Sequence, residues 1–309
     1  MLQNILILIA GFVFLVKGAD YLVGGSASLA RRLGVRVFVV GLTVVAFGTS
    51  APELVVNLLS AGSSATDLAI GNIIGSNIAN ILLILGTAAF IAPVAIGRGT
   101  TWKEIPFSLL AAILLVLMGS DVLLDDGVAN VITRIDGLIL LSFFIIFMVY
   151  TFGVSKAEDD APSRESIEIL SNWKTGLYIV AGMAGLMLGG KLIVDSAVSI
   201  ASTFGVSEHL IGATIVALGT SLPELVTAGV AAMKNQADLA VGNVVGSNVF
   251  NIFLVLGLTA TTVPLPFNQA ILQDAAVLLF ATTLLFFSIF AGKRQTLERW
   301  QGLTFLGMY

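Results

Sequence analysis

Two stretches of this chain spell almost the same word 171 residues apart: AFGTSAPELV at Ala46 to Val55, and ALGTSLPELV at Ala217 to Val226. At that single offset, without gaps, GLTVVAFGTSAPELVVNLLS at 41–60 matches GATIVALGTSLPELVTAGVA at 212–231 in eleven of twenty positions. AIGNIIGSNIANILLILG at 69–86 matches AVGNVVGSNVFNIFLVLG at 240–257 in eleven of eighteen. A long match at a fixed period means one structural unit used twice. Whatever Glu53 does in one copy, Glu224 is expected to do in the other.

The solvent of this unit follows from composition. Apolar residues make up 57% of the 309 and charged residues 11%, against roughly 45–50% and 25% in ordinary soluble domains. So few charges cannot cover a globule of this size, so the surface faces lipid. Apolar runs of spanning length fall at about 5–29, 37–61, 69–95, 105–120 and 132–153, then at about 175–200, 208–232, 239–263 and 270–290. They lack the strict alternation of a membrane barrel, which predicts helices. The first run continues past Phe14 with no basic segment before it and reads as a retained helix, not a signal peptide. No cysteine is present, so disulfides and thiolate metal sites are excluded.

Five spans per copy is an odd number, so the second copy enters the membrane from the opposite side. Inverted repeats of this kind hold their sites near the midplane on interrupted helices. The expected fold is an all-α polytopic membrane protein of two inverted five-helix repeats, residues 1–153 and 175–309, joined by a polar linker at 154–174. The offset of 171 places a tenth span at about 303–324, of which this sequence holds only the start. With the N-terminus outside, twelve Lys and Arg residues fall in inside loops and only Arg134 in an outside loop. That asymmetry is the positive-inside pattern; it predicts a cytoplasmic linker and a multi-pass protein of the cell membrane.

The repeated word carries the chemistry. Pro52 and Pro223 remove a backbone donor, and Gly48 and Gly219 loosen the same turn. Carbonyls near Ala46–Thr49 and Ala217–Thr220 are therefore expected to lose helical partners. Thr49 and Glu53 lie four apart on one helix face with Ser50 adjacent, and Thr220, Glu224 and Ser221 copy them. In the next span Asn72, Ser76 and Asn80 recur every fourth residue, as do Asn243, Ser247 and Asn251; each set makes one polar stripe. Gly71, Gly75, Gly242 and Gly246, each one residue before a stripe position, allow a neighbouring helix to approach closely. Carboxylate, hydroxyl and carbonyl oxygens are the ligand set of a hard cation such as Ca2+ or Na+, and intramembrane carboxylates are functional by default.

Other polar residues take plainer readings. Asn72, Asn77, Asn243 and Asn248 are read as interhelical hydrogen-bonding groups, Lys17 with Asp20 and Lys191 with Asp195 as local pairs or snorkelling groups near helix ends, and His209 as a helix-start or loop residue. Enzyme signatures such as HExxH and GxSxG are absent, as is a TVGYG-like filter. Nothing in the net charge of −4 points to nucleic acid.

GTSAPE at 48–53, GTSLPE at 219–224, GNIIGSNIAN at 71–80 and GNVVGSNVFN at 242–251 closely resemble the cation/Ca2+ antiporter superfamily, and within it the sodium/calcium exchangers of prokaryotic size. The resemblance implies that Glu53 and Glu224 clamp Ca2+ together with the backbone carbonyls of Thr49 and Thr220. It implies that Na+ sites draw on the carbonyls of Ala46 and Ala217, the hydroxyls of Ser50, Ser76, Ser221 and Ser247, and the same glutamates. Ca2+ and Na+ are then transported substrates, with no resident cofactor. Similar proteins slide their long first and sixth helices across the other eight, here the spans at about 5–29 and 175–200. Some prokaryotic members carry aspartate where this chain has Asn251; with Asn80 also neutral, two carboxylates remain, enough to neutralise one Ca2+. Spacing alone also admits H+ or K+ coupling, and, from a different class, a passive cation channel or a Ca2+-sensing membrane module.

Overall fold

The computed structural model of the chain describes residues 2–62, 66–97, 99–124, 128–154, 169–205, 217–293 and 295–309. In order come α1 (Leu2–Leu33), α2 (Val37–Thr49), α3 (Ala51–Gly62), α4 (Thr66–Ile91), α5 (Thr100–Met118), α6 (Arg134–Val154), α7 (Asn172–Thr203), α8 (Ala217–Thr220), α9 (Leu222–Met233), α10 (Ala237–Thr262), α11 (Gln269–Ser288) and α12 (Arg299–Met308). A four-residue helical turn, Asp121–Leu124, lies between α5 and α6. Among the described residues seven helices are long and apolar enough to cross a membrane, or eight if α2 and α3, bent by 43°, are one span. Helices dominate because lipid offers no partner for a backbone amide, so each span must satisfy its own.

The sequence did not suggest four two-residue strands. β1 (Val94–Ala95) pairs antiparallel with β4 (Thr296–Leu297), and β2 (Val131–Ile132) with β3 (Leu265–Pro266). Each pair joins the two halves of the chain. The fifth helices do the same: α6 packs on α10, and α12 on α4. At both contacts a glycine makes room, since a Cβ on Gly137 would stand 2.8 Å from the Gly257 carbonyl oxygen and one on Gly302 would stand 2.7 Å from that of Gly86.

These equivalent glycines correct the expected tenth span. Gly302 follows Gly137 by 165 positions, not 171, so the repeat shortens by six residues before the last helix. The helix starts at Arg299, where Glu298 and Gln301 form a reciprocal capping box that satisfies otherwise orphaned amides.

The centre of the molecule is α10, whose most apolar stretch is 94% buried, beside α4 at 67%. At the periphery α1 and α7, each 32 residues long, lie side by side with 28% of their most apolar stretches buried. Their backbones touch: a Cβ on Gly182 would fall 2.6 Å from the Leu22 nitrogen, and one on Gly18 would fall 2.7 Å from that of Leu186. Small residues that let backbones meet are the usual basis of tight helix pairs in lipid.

Candidate cation site between the two halves

Both repeated words fold as a helix break, with the proline in a different role from the one expected. Ser50 (φ −84°, ψ 4°) ends α2, and Pro52 then lies in the first turn of α3; Ser221 and Pro223 repeat this between α8 and α9. A proline there sacrifices no helical bond, because the first amides have no partner in any case. Glu53 and Glu224 stand in those first turns, 1% exposed, where the helix dipole favours negative charge. Ser-x-Pro-Glu has the spacing of a capping box, yet Ser221 makes no cap bond. Its hydroxyl is used elsewhere.

The serines join the halves. Ser50 Oγ donates to Glu224 Oε1 at 3.1 Å. Ser76 Oγ donates to Glu53 Oε1 at 3.4 Å, Ser247 Oγ to Glu224 Oε1 at 3.5 Å, and Ser221 Oγ lies 3.2 Å from Ser76 Oγ. Thr49 Oγ1 donates to Asn243 Oδ1 at 3.0 Å, and Thr220 Oγ1 to Asn72 Oδ1 at 3.3 Å. Asn80 and Asn251 bond across the halves to Asn248 and Asn77. Glu53 lies within the electrostatic reach of Glu224. Among the described residues, four acceptor oxygens in this cluster are buried without a hydrogen-bond partner: Glu53 Oε2, Glu224 Oε2, Asn80 Oδ1 and Asn251 Oδ1. Acceptors that face no donor are what a cation requires of its surroundings.

Most residues singled out in the sequence thus come together, with differences. The Ala46 carbonyl does not lose its helical partner: it accepts from the Ser50 amide at 2.9 Å, because α2 stays helical through Thr49. Ala217 opens α8. The stripe glycines Gly242 and Gly246 do meet a neighbour closely, at the carbonyls of Phe38 and Leu42. Gly71 and Gly75 meet nothing among the described residues; the equivalent partners, residues 209–213, lie outside them, as does His209. Asp20 pairs not with Lys17 but with Lys234 at 2.6 Å, while Lys191 and Asp195 form the expected pair at 2.8 Å. Asn57 went unread: it is fully buried one turn after Glu53 and donates to the Glu53 carbonyl at 2.8 Å. Its i, i+4 spacing was the available signal.

An apolar cavity of about 640 Å³ reaches both breaks along α7, lined by Pro52, Val55, Thr220 and Pro223, with Lys191 and Asp195 on its α7 wall.

Fold and site together define a polytopic membrane protein of two repeats around a buried, oxygen-rich cluster. Comparisons with known proteins identify its kind. The model of the family described as "Sodium/calcium exchanger protein" matches residues 3–153 and 174–309, and the chain belongs to that family. It is 31% identical to sodium/calcium exchanger MaX1 of Methanosarcina acetivorans, over 99% of this chain and 96% of the relative. It is 37% identical to inner membrane protein YrbG of Escherichia coli strain K12, over 85% and 81%. Among solved structures it superposes on the sodium-calcium exchanger NCX_Mj with a TM-score of 0.86 at 34% identity, covering 100% of this chain and 97% of the other. Its family is one of transporters, not of catalysts.

Proposed function

We propose that the protein exchanges Na+ for Ca2+ by alternating access at one shared site near the membrane midplane, formed by Glu53 and Glu224 with the carbonyls of Thr49 and Thr220. Ser50, Ser76, Ser221, Ser247, Asn80 and Asn251 complete the oxygen set for the competing cations, with the carbonyls of Ala46 and Ala217 as further Na+ ligands. The observation that carries this reading is the set of four unpartnered buried acceptors, two of them on the buried carboxylates Glu53 and Glu224, with Glu224 bonded by Ser50 of the other half. Two buried carboxylates repel when empty, and the repulsion grows as the effective dielectric falls. One Ca2+ or several Na+ relieves it, so loaded forms occlude and the empty form does not. Because the loads compete for the same oxygens, Na+ moving inward drives Ca2+ out. The Thr49 hydroxyl is engaged by Asn243 and Glu224 and the Thr220 hydroxyl by Asn72 and Glu53, which fits ligation through their backbone carbonyls. The paired helices α1 and α7 are the elements expected to slide. The protein lies in the cell membrane with its N-terminus outside and its linker in the cytoplasm.

The test is radioactive Ca2+ uptake into proteoliposomes loaded with Na+ and diluted into Na+-free buffer, beside vesicles with a pH gradient, with K+, or with no gradient. Uptake that requires internal Na+ and disappears in Glu53→Gln is the expected result. Uptake driven by the pH gradient alone assigns proton coupling instead. Gradient-independent leak that the variant abolishes replaces exchange with a channel.

A further inference from the structure

Asn77 and Asn248 lie outside the set of oxygens assigned above, yet each holds the amide of a site asparagine from the opposite half. Asn80 Nδ2 donates to Asn248 Oδ1 at 3.0 Å, and Asn251 Nδ2 donates to Asn77 Oδ1 at 3.0 Å. Asn77 is itself oriented, because its Nδ2 donates at 3.3 Å to the backbone carbonyl of Asn248, and a carbonyl can only accept. The direction of the chain of amides is therefore set. The carbonyl takes the nitrogen of Asn77, the oxygen of Asn77 takes the nitrogen of Asn251, and the oxygen of Asn251 is left over. Asn251 Oδ1 and Asn80 Oδ1 are both buried and unpartnered.

That direction matters because the two ends of an asparagine amide are nearly the same size but opposite in polarity. Beside a cation the oxygen attracts and the NH2 repels. All four side chains are at most 2% exposed, so water does not compensate a wrong orientation. Asn72 and Asn243 face threonine hydroxyls instead, which accept as well as donate, so those contacts fix no direction. The stripe does not by itself impose one direction; the partner of each amide does.

We propose that Asn77 and Asn248 are positioning residues that hold Asn251 and Asn80 oxygen-first toward the transported cation, making two neutral amides into fixed ligands beside only two carboxylates. The inference rests on the shared-site reading above. Loss of such outer partners typically weakens metal affinity about 10–100-fold.

The experiment is the Ca2+ dependence of uptake into Na+-loaded proteoliposomes, separating half-saturating Ca2+ from maximal rate. Asn77→Ala is expected to raise half-saturating Ca2+ about tenfold or more with little change in maximal rate, while Asn77→Asp, which keeps the acceptor, does not raise it. In the Asn251→Asp background the side chain has oxygen at both ends, so adding Asn77→Ala leaves half-saturation where Asn251→Asp sets it. A purely structural role lowers the amount of working protein, and with it maximal rate, in both backgrounds. If Asn77→Ala does not fold, Asn248→Ala with and without Asn80→Asp poses the same question through the other amide. Unchanged half-saturation in the native background, or an equal rise in both, overturns the proposal. Glu53→Gln is measured alongside. If it leaves uptake intact, the shared-site reading falls and this inference with it, whereas loss in Glu53→Gln with a silent Asn77→Ala sinks the asparagine proposal alone.

Discussion

At the scale of single residues, the carboxylates carry the most unusual energetics. Glu53 and Glu224 are buried, within reach of each other's charge, and each retains one unpartnered oxygen. A ligand that binds only the folded protein adds stability as RT ln(1 + [L]/Kd), about 2.7 kcal/mol at a hundredfold excess over Kd. Ca2+ is therefore expected to raise the Tm of the detergent-solubilised protein, and Glu53→Gln to abolish that rise. Without Ca2+ the variant is expected to be at least as stable as the native protein, since it loses a like-charge contact. A melting series in Ca2+ checks both halves of the expectation. These two residues were legible in the sequence because the repeat names them twice. The Ala46 carbonyl keeps a helical partner that it was expected to lose, because a proline six positions on says that a break occurs but not which carbonyl it frees; its second lone pair remains for a cation. Asn77 and Asn248 read only as helix-packing groups, since the direction of an amide leaves no trace in a sequence.

At the scale of elements, the break differs from a kinked helix. Pro52 begins α3 after Ser50 has ended α2, so the axis turns by 43° without a lost ladder bond in a helix interior. Pro52→Ala restores an amide opposite the Gly48 carbonyl and lets α2 run into α3. The expected outcome is an unchanged or higher Tm, because the residue that blocks a continuous helix is gone. Na+-dependent Ca2+ uptake is expected to fall about tenfold or more, because the ligands leave their working geometry; circular dichroism and uptake, measured together, separate the two effects. The span pattern along the chain was legible to within a few residues at most helix ends, since lipid forces long apolar helices. The last helix was displaced because its position came from the offset alone, whereas Glu298 and Gln301 mark its start chemically.

At the scale of the whole molecule, the two halves are neighbours in sequence and interleaved in space. Each fifth helix belongs to one half and packs on the other, and each strand pair takes one strand from each half, so neither half encloses the site alone. The inverted orientation predicts that Arg134 and Lys293 lie on opposite faces of the membrane. The chain has no cysteine, so Arg134→Cys and Lys293→Cys can each be tested with a membrane-impermeant thiol reagent on intact cells. Labelling of the first alone is expected, and labelling of the second alone reverses the orientation. The amino-acid sequence by itself determined the membrane as solvent, the two copies, the paired glutamates and the kind of ligand they suit. Those properties follow from composition and from spacings of a few residues, which helix geometry converts directly into faces. Only the tertiary structure decided that Ser50 serves Glu224, that the halves exchange their fifth helices, and which end of each asparagine faces the site. Such pairings join residues some 170 positions apart, where chain connectivity imposes almost nothing and the packing of one helix against another selects the partner.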